Sequence, residues 1–237
     1  MIEIRSGAVL PSIREEITLV TEDHLLLVGE LALPVSGAPA ATLITLHPLP
    51  TAGGFMDSHI LRKAANRLPA LAQLAVLRFN TRGTASPQGS SEGSFGEGIT
   101  ERHDVDAALA FAHARGLPNL WLVGWSFGTE LALKYGVNKD IEGVILLSPP
   151  LHRTSEAELA TWANNGKRVI ALVPELDDYL VPEQAKERFK AIPQLELVAV
   201  DDAKHLWVGE SATKSVLNEI VKAVNPAAYP LPETYEG

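Results

Sequence analysis

Short apolar runs of strand length alternate along this chain with longer stretches in which apolar residues recur at helical spacing. Glu16–Thr21 and Leu25–Leu33 read as two strands joined by a turn around Glu22-Asp23, an antiparallel hairpin that opens a sheet. Ala41–Leu46, Leu74–Arg78, Leu120–Val123, Gly143–Leu147, Arg168–Val173 and Leu195–Val200 read as further strands, short and mostly buried. Helices are predicted between them over Ser58–Leu68, capped by Asp57, and over Thr100–Arg115, Phe127–Tyr135, Glu156–Asn164, Glu183–Ala191 and Ser211–Ala223. In the second of these, Val105, Leu109 and Ala112 share a face, and Glu101, Asp104 and Asp106 lie near the start, where the helix dipole favours negative charge. Gly83–Gly98 is too poor in apolar residues to pack and long enough to be a functional loop. The alternation predicts an α/β fold, with helices on both faces of a mostly parallel twisted sheet of about seven to eight strands. One domain would span residues 1–237, with 226–237, containing Pro226, Pro230 and Pro232, as an extended tail, lying on the surface or frayed.

Composition narrows the function more than the fold. With 46% apolar and 21% charged residues, the chain falls in the soluble globular range. Its 20 Lys and Arg against 29 Asp and Glu give a net charge of −9, and the basic residues form no patch, so nucleic acid is not an expected partner. No apolar run approaches the length of a membrane span, and Met1–Ser6 lacks the features of a signal peptide. The expectation is a cytoplasmic protein with no membrane partner, for which a homodimer is a compatible assembly. The absence of cysteine excludes a disulfide framework, a zinc ribbon and a cysteine nucleophile together.

The sharpest local signal is Gly124-Trp125-Ser126-Phe127-Gly128, between a predicted strand and a predicted helix. In a nucleophile elbow the serine occupies a strained turn, and the residues two positions to either side must be small for strand and helix to approach. A serine hydroxyl attacks only when a base takes its proton, so an elbow requires a histidine, oriented by a carboxylate, later in the chain. Of 7 histidines, only His152 and His205 follow Ser126, and only His205 follows a strand end that also offers acids, Asp201-Asp202. His205 is therefore the expected base. The orienting acid should follow the strand Arg168–Val173, where Glu175, Asp177 and Asp178 compete.

The tetrahedral oxyanion needs donors. One is the backbone N–H of Phe127, at the positive end of its helix. The second is expected in the loop His47-Pro48-Leu49-Pro50-Thr51-Ala52-Gly53-Gly54, where the prolines have no N–H and Leu49 is left as donor. His47 precedes Ser126 and reads as a side chain that braces this loop, with substrate contact as the alternative. No cofactor or metal is called for.

These motifs together resemble an α/β-hydrolase, and within that superfamily the small, lid-less group related to dienelactone hydrolases. The likeness rests on His47-Pro48-Leu49-Pro50 with Gly53-Gly54-Phe55-Met56, on Arg78-Phe79-Asn80-Thr81-Arg82-Gly83, on Gly124–Gly128, on Asp178-Tyr179-Leu180-Val181-Pro182, and on His205-Leu206-Trp207. It spans roughly residues 25–222 with all motifs in order. The DxxVP pattern favours Asp178 as the acid, which implies a triad of Ser126, Asp178 and His205. Leu49 stands where the group often has a second histidine, and without cysteine the resemblance implies the reaction class rather than the dienelactone substrate. Only about twenty residues separate Leu147 from Arg168, so no sizeable cap domain is expected and the pocket should be open. Its walls would come from the helix Glu156–Asn164, Leu49, the Gly83–Gly98 loop and the side chains of His47, Trp125, Tyr179 and Trp207. The implied activity is a serine esterase cleaving small or medium acyl esters. Thioester or amide cleavage, acyl transfer, and non-hydrolytic ligand binding on the same fold are the alternatives.

Overall fold

The structure, a computed structural model, describes residues 2–236. Its core is an eight-stranded sheet built from β1 (Ile13–Val20), β2 (Leu26–Leu33), β3 (Ala41–Leu46), β4 (Leu74–Phe79), β5 (Leu120–Trp125), β6 (Gly143–Leu147), β7 (Arg168–Leu176) and β8 (Leu195–Lys204). The spatial order is β1-β2-β4-β3-β5-β6-β7-β8. β1, β2 and β4 pair antiparallel, and every pairing from β4 through β3 to β8 is parallel. The order doubles back at β3, which lies between β4 and β5, so the ends of β3 and β5 open on one crevice.

Helices cover both faces, as the hydrophobic pattern requires. β3, β4, β5 and β6 are buried along their whole length, and successive residues feed opposite cores: Ile44 and Leu122 one, Leu43, Trp121 and Val123 the other. α2 (Arg102–Ala114), α3 (Phe127–Tyr135) and α5 (Pro182–Arg188) pack on the first face through Val105, Leu109, Leu131 and Ala185. α1 (His59–Ala72) and α6 (Glu210–Val224) close the second through Ile60, Leu68, Val216 and Ile220. The short α4 (Glu156–Ala160) lies in the β6–β7 connection and holds Leu159 in the first core.

Several local expectations shift. α1 runs on through Pro69 to Ala72, because Leu68 and Ala72 remain in register with the sheet, and it ends at Gln73 in the left-handed region (φ 51°). Asp57 does not cap it: Ser58 occupies that position without a side-chain cap, and the Asp57 carboxylate accepts from Arg78 and Gln88 instead. The Gly83–Gly98 loop is ordered by borrowed partners. Glu92 and Ser91 accept the N–H groups of Leu26 and Val28 at 2.8 and 3.0 Å, and the buried Glu101 accepts those of Gly96 and Gly98 at 2.7 and 2.9 Å. The C-terminal segment is held rather than frayed, since Thr234–Tyr235 pairs antiparallel with Ile2–Glu3. Among the described residues no helix is long and apolar enough to cross a membrane.

Candidate active site

The turn between β5 and α3 is tight because backbone packs on backbone. Ser126 is held at φ 52°, ψ −117°, a conformation that costs a non-glycine residue about 1–3 kcal/mol and persists only where the surroundings enforce it. The enforcement is visible on both sides. A Cβ on Gly124 would fall 2.4 Å from the Gly128 carbonyl oxygen, and one on Gly128 would fall 2.0 Å from that of Leu46. Only glycine at both positions lets α3 start against the ends of β3 and β5. The Ser126 N–H donates to Leu147 O at 2.9 Å, and its carbonyl accepts the Thr129 N–H at 2.9 Å and hydroxyl at 2.6 Å, which leaves the serine side chain at the tip.

That hydroxyl lies 2.9 Å from Nε2 of His205, which sits just beyond β8. The other ring nitrogen, Nδ1, is 2.9 Å from Oδ2 and 3.2 Å from Oδ1 of Asp177. A carboxylate only accepts, so Nδ1 carries the proton and Nε2 is left free to accept from the serine. The histidine backbone is equally fixed: its carbonyl accepts from Trp125 Nε1–H and from the Ser148 hydroxyl, each at 3.1 Å. Tyr179 stacks edge-on against the imidazole, with ring centroids 4.6 Å apart.

The acid facing His205 is Asp177, which corrects the expectation of Asp178. Asp177 is buried; Asp178 is exposed and its carboxylate bonds to nothing among the described residues. Asp177 Oδ1 also accepts the N–H groups of Tyr179 and Leu180, at 2.8 and 3.3 Å, so the aspartate is stitched into the turn that follows it. That turn carries one residue more before Val181-Pro182 than the DxxVP pattern allows for, and counting back from the proline therefore stops one aspartate late. Burial works to raise the Asp177 pKa, but the hydrogen bonds from His205, Tyr179 and Leu180 outweigh it and hold the carboxyl below its usual range.

A cavity of about 170 Å³ opens beside Ser126 and His205. Leu49, Phe127, Pro150, Tyr179 and Leu206 give it a largely apolar lining, and Trp125 borders it. The N–H groups of Leu49 and Phe127 donate to no other group among the described residues. The far wall is the segment Pro150–Arg153, not the helix expected there; α4 is only five residues long and stands back from the cavity. The wall is pinned by the fully buried Glu130, which accepts the Arg153 N–H and pairs with its guanidinium at 3.4 Å. The Gly83–Gly98 loop likewise borders a separate hollow with Pro50 and Phe55.

Two side chains expected at the pocket are absent from it. Trp207 is fully buried in the second core: the chain passes through φ 52° at that residue, so Leu206 faces the cavity and the indole faces the sheet. His47 is also fully buried, under the loop that carries Leu49. His152, passed over as a base, stands at the cavity edge, where its ring meets that of Tyr179 at 5.4 Å. Among the described residues no group of three His, Asp or Glu side chains is arranged to hold a metal ion.

Sequence comparison finds no matching family model and no matching curated protein. Solved structures of the same shape exist. A lid-less α/β serine hydrolase from Xanthomonas campestris superposes with a TM-score of 0.75 at 25% identity, over 95% of this chain and 100% of its own. The fold is that of the α/β hydrolases. An α/β serine hydrolase homologue from Coxiella burnetii matches that fold at a TM-score of 0.75 and 23% identity, over 89% of this chain and 97% of its own. An esterase from Pyrococcus furiosus does so at 0.70 and 19%, over 90% and 93%. Nothing large intervenes between β6 and β7, whose connection, residues 148–167, holds only α4.

Proposed function

We propose that the protein is a serine esterase in which Ser126, His205 and Asp177 form the triad. One observation carries the reading: a strained serine shares a 2.9 Å contact with an imidazole that is itself 2.9 Å from a buried carboxylate, beside a cavity lined by Leu49 and Phe127, whose backbone N–H groups have no acceptor among the described residues. The serine hydrolase and esterase neighbours support the reaction class. Ser126 Oγ attacks the ester carbonyl as its proton passes to His205 Nε2, and Asp177 stabilises the imidazolium so formed. The N–H groups of Phe127 and Leu49 receive the negative charge that develops on the carbonyl oxygen. His205 then returns the proton to the departing alcohol, leaving an acyl-enzyme. Water, deprotonated by the same imidazole, attacks the acyl carbon, and the acid is released with the serine restored.

The size and apolar lining of the cavity favour small or medium acyl groups. A series of p-nitrophenyl esters of increasing chain length tests this: turnover should be greatest for short chains and should vanish in Ser126→Ala. Equal turnover in Ser126→Ala, or none in the wild type, would refute the reading.

A further inference from the structure

The second oxyanion donor sits on a loop, and something must aim it. Nε2 of His47 is 3.0 Å from the Thr81 N–H and 3.1 Å from the Thr81 hydroxyl, at the end of β4. A backbone N–H can only donate, so Nε2 bears the lone pair and the ring proton is on Nδ1, where it donates to Pro48 O at 2.7 Å. Burial keeps the ring neutral, pushing its pKa down to about 4 against a smaller upward pull from that carbonyl. The Pro48–Leu49 peptide is trans, so its carbonyl and its N–H lie in one plane and point in opposite directions. From the other flank Gly54 packs against the same carbonyl, where a Cβ would lie 2.2 Å from the oxygen. Leu49 borders the cavity with Ser126, and its N–H has no acceptor among the described residues.

Resting on the esterase reading above, we propose that His47 is a positioning residue: by holding the Pro48 carbonyl it turns the N–H of the same peptide, that of Leu49, toward the oxyanion formed at Ser126. His47 touches no substrate. Its two hydrogen bonds do different jobs, since the one to Thr81 anchors the ring and the one to Pro48 orients the peptide.

Two substitutions separate these jobs. The amide nitrogen of asparagine falls where Nδ1 stood, two bonds from Cβ, and the amide oxygen of glutamine falls where Nε2 stood. His47→Asn should keep the donor to Pro48 and lose the acceptor for Thr81; His47→Gln should do the reverse. With p-nitrophenyl acetate, the glutamine variant should lose about 100-fold in kcat with KM within about threefold, and the asparagine variant should stay within about threefold of wild type. Phenylboronic acid provides a second readout. It bonds to Ser126 Oγ, whose proton passes to His205, giving a tetrahedral boronate with a hydroxyl in the oxyanion position. Its affinity should fall in the glutamine variant by the same factor as kcat. A purely structural histidine would make activity follow thermal stability, so glutamine outperforming or equalling asparagine would overturn the proposal.

Should neither variant fold, the wild type decides. On boronate binding the Leu49 amide proton should move downfield in NMR together with that of Phe127; movement of Phe127 alone would overturn the proposal. A wild type inert to both ester and boronic acid is a different outcome, and refutes the esterase reading along with the role of His47.

Discussion

Ser126 and Asp177 reach the same imidazole from regions built in opposite ways. Around Ser126 the constraint is backbone against backbone: Gly124 against Gly128, and Gly128 against Leu46, with no room for a Cβ at either glycine. Around Asp177 the constraint is a side chain bonding its own turn, through the N–H groups of Tyr179 and Leu180, after a register shift late in β7. The first arrangement leaves no room for an added atom at either glycine. The second is self-contained, because the aspartate bonds the turn that follows it. One imidazole is thus met by a serine held through interlocked chains and by a carboxylate held through a local hydrogen-bonded loop.

The largest change is expected at the turn that carries Asp177. Asp177→Asn should lower kcat for an activated ester by about 10⁴-fold, whereas Asp178→Asn should leave it within about threefold of wild type. A reversed order in steady-state assays would return the acid to Asp178. On the elbow side, Gly128→Ala should cost about 3 kcal/mol or more in urea denaturation, since the new methyl group meets the Leu46 carbonyl rather than a flexible side chain. Gly7→Ala, with nothing within 4 Å of its Cβ, should be near neutral. Wild-type stability in the Gly128→Ala protein would show that the elbow is looser than its contacts indicate.

The smallest effect concerns acid stability. His47 takes up a second ring proton, and with it a charge, only below about 4 in the folded chain, against 6.5 for an unperturbed histidine. Between these values the unfolded chain binds more protons, so stability rises with pH across the window and is lost as pH falls through it. The contribution of this one residue between pH 7 and pH 4 should be about 3 kcal/mol. His47→Asn, which cannot titrate there, should show a correspondingly flatter stability profile over that range. An unchanged profile would mean that the imidazole reaches solvent and titrates normally.

The same contrast explains what could be read from the chain alone. The sheet and its helices are legible because buried strands such as Leu120–Trp125 are unbroken apolar runs and amphipathic helices such as Glu210–Val224 carry the helical period. The elbow is legible because steric exclusion leaves glycine as the only solution at two fixed spacings. The search for the base is narrowed to His152 and His205 by simple scarcity of histidines after Ser126. The acid is not legible, since Asp177 and Asp178 are adjacent and only the length of the turn to Val181 separates them. Neighbourhood in sequence also misleads at Trp207, where a single left-handed residue sends the indole into the core and puts Leu206 at the cavity. The Thr81 partner of His47 carries no sequence signal, because β4 meets β3 only through the sheet.

In the proposed reaction everything depends on His205 making the Ser126 hydroxyl nucleophilic. Reaction of the wild type with a fluorophosphonate, followed by peptide mapping, measures this directly without needing the natural substrate. One phosphonyl group per chain is expected, on Ser126, with labelling strongly slowed in His205→Ala. A wild type that remains unlabelled, or a label carried by another residue, would contradict it.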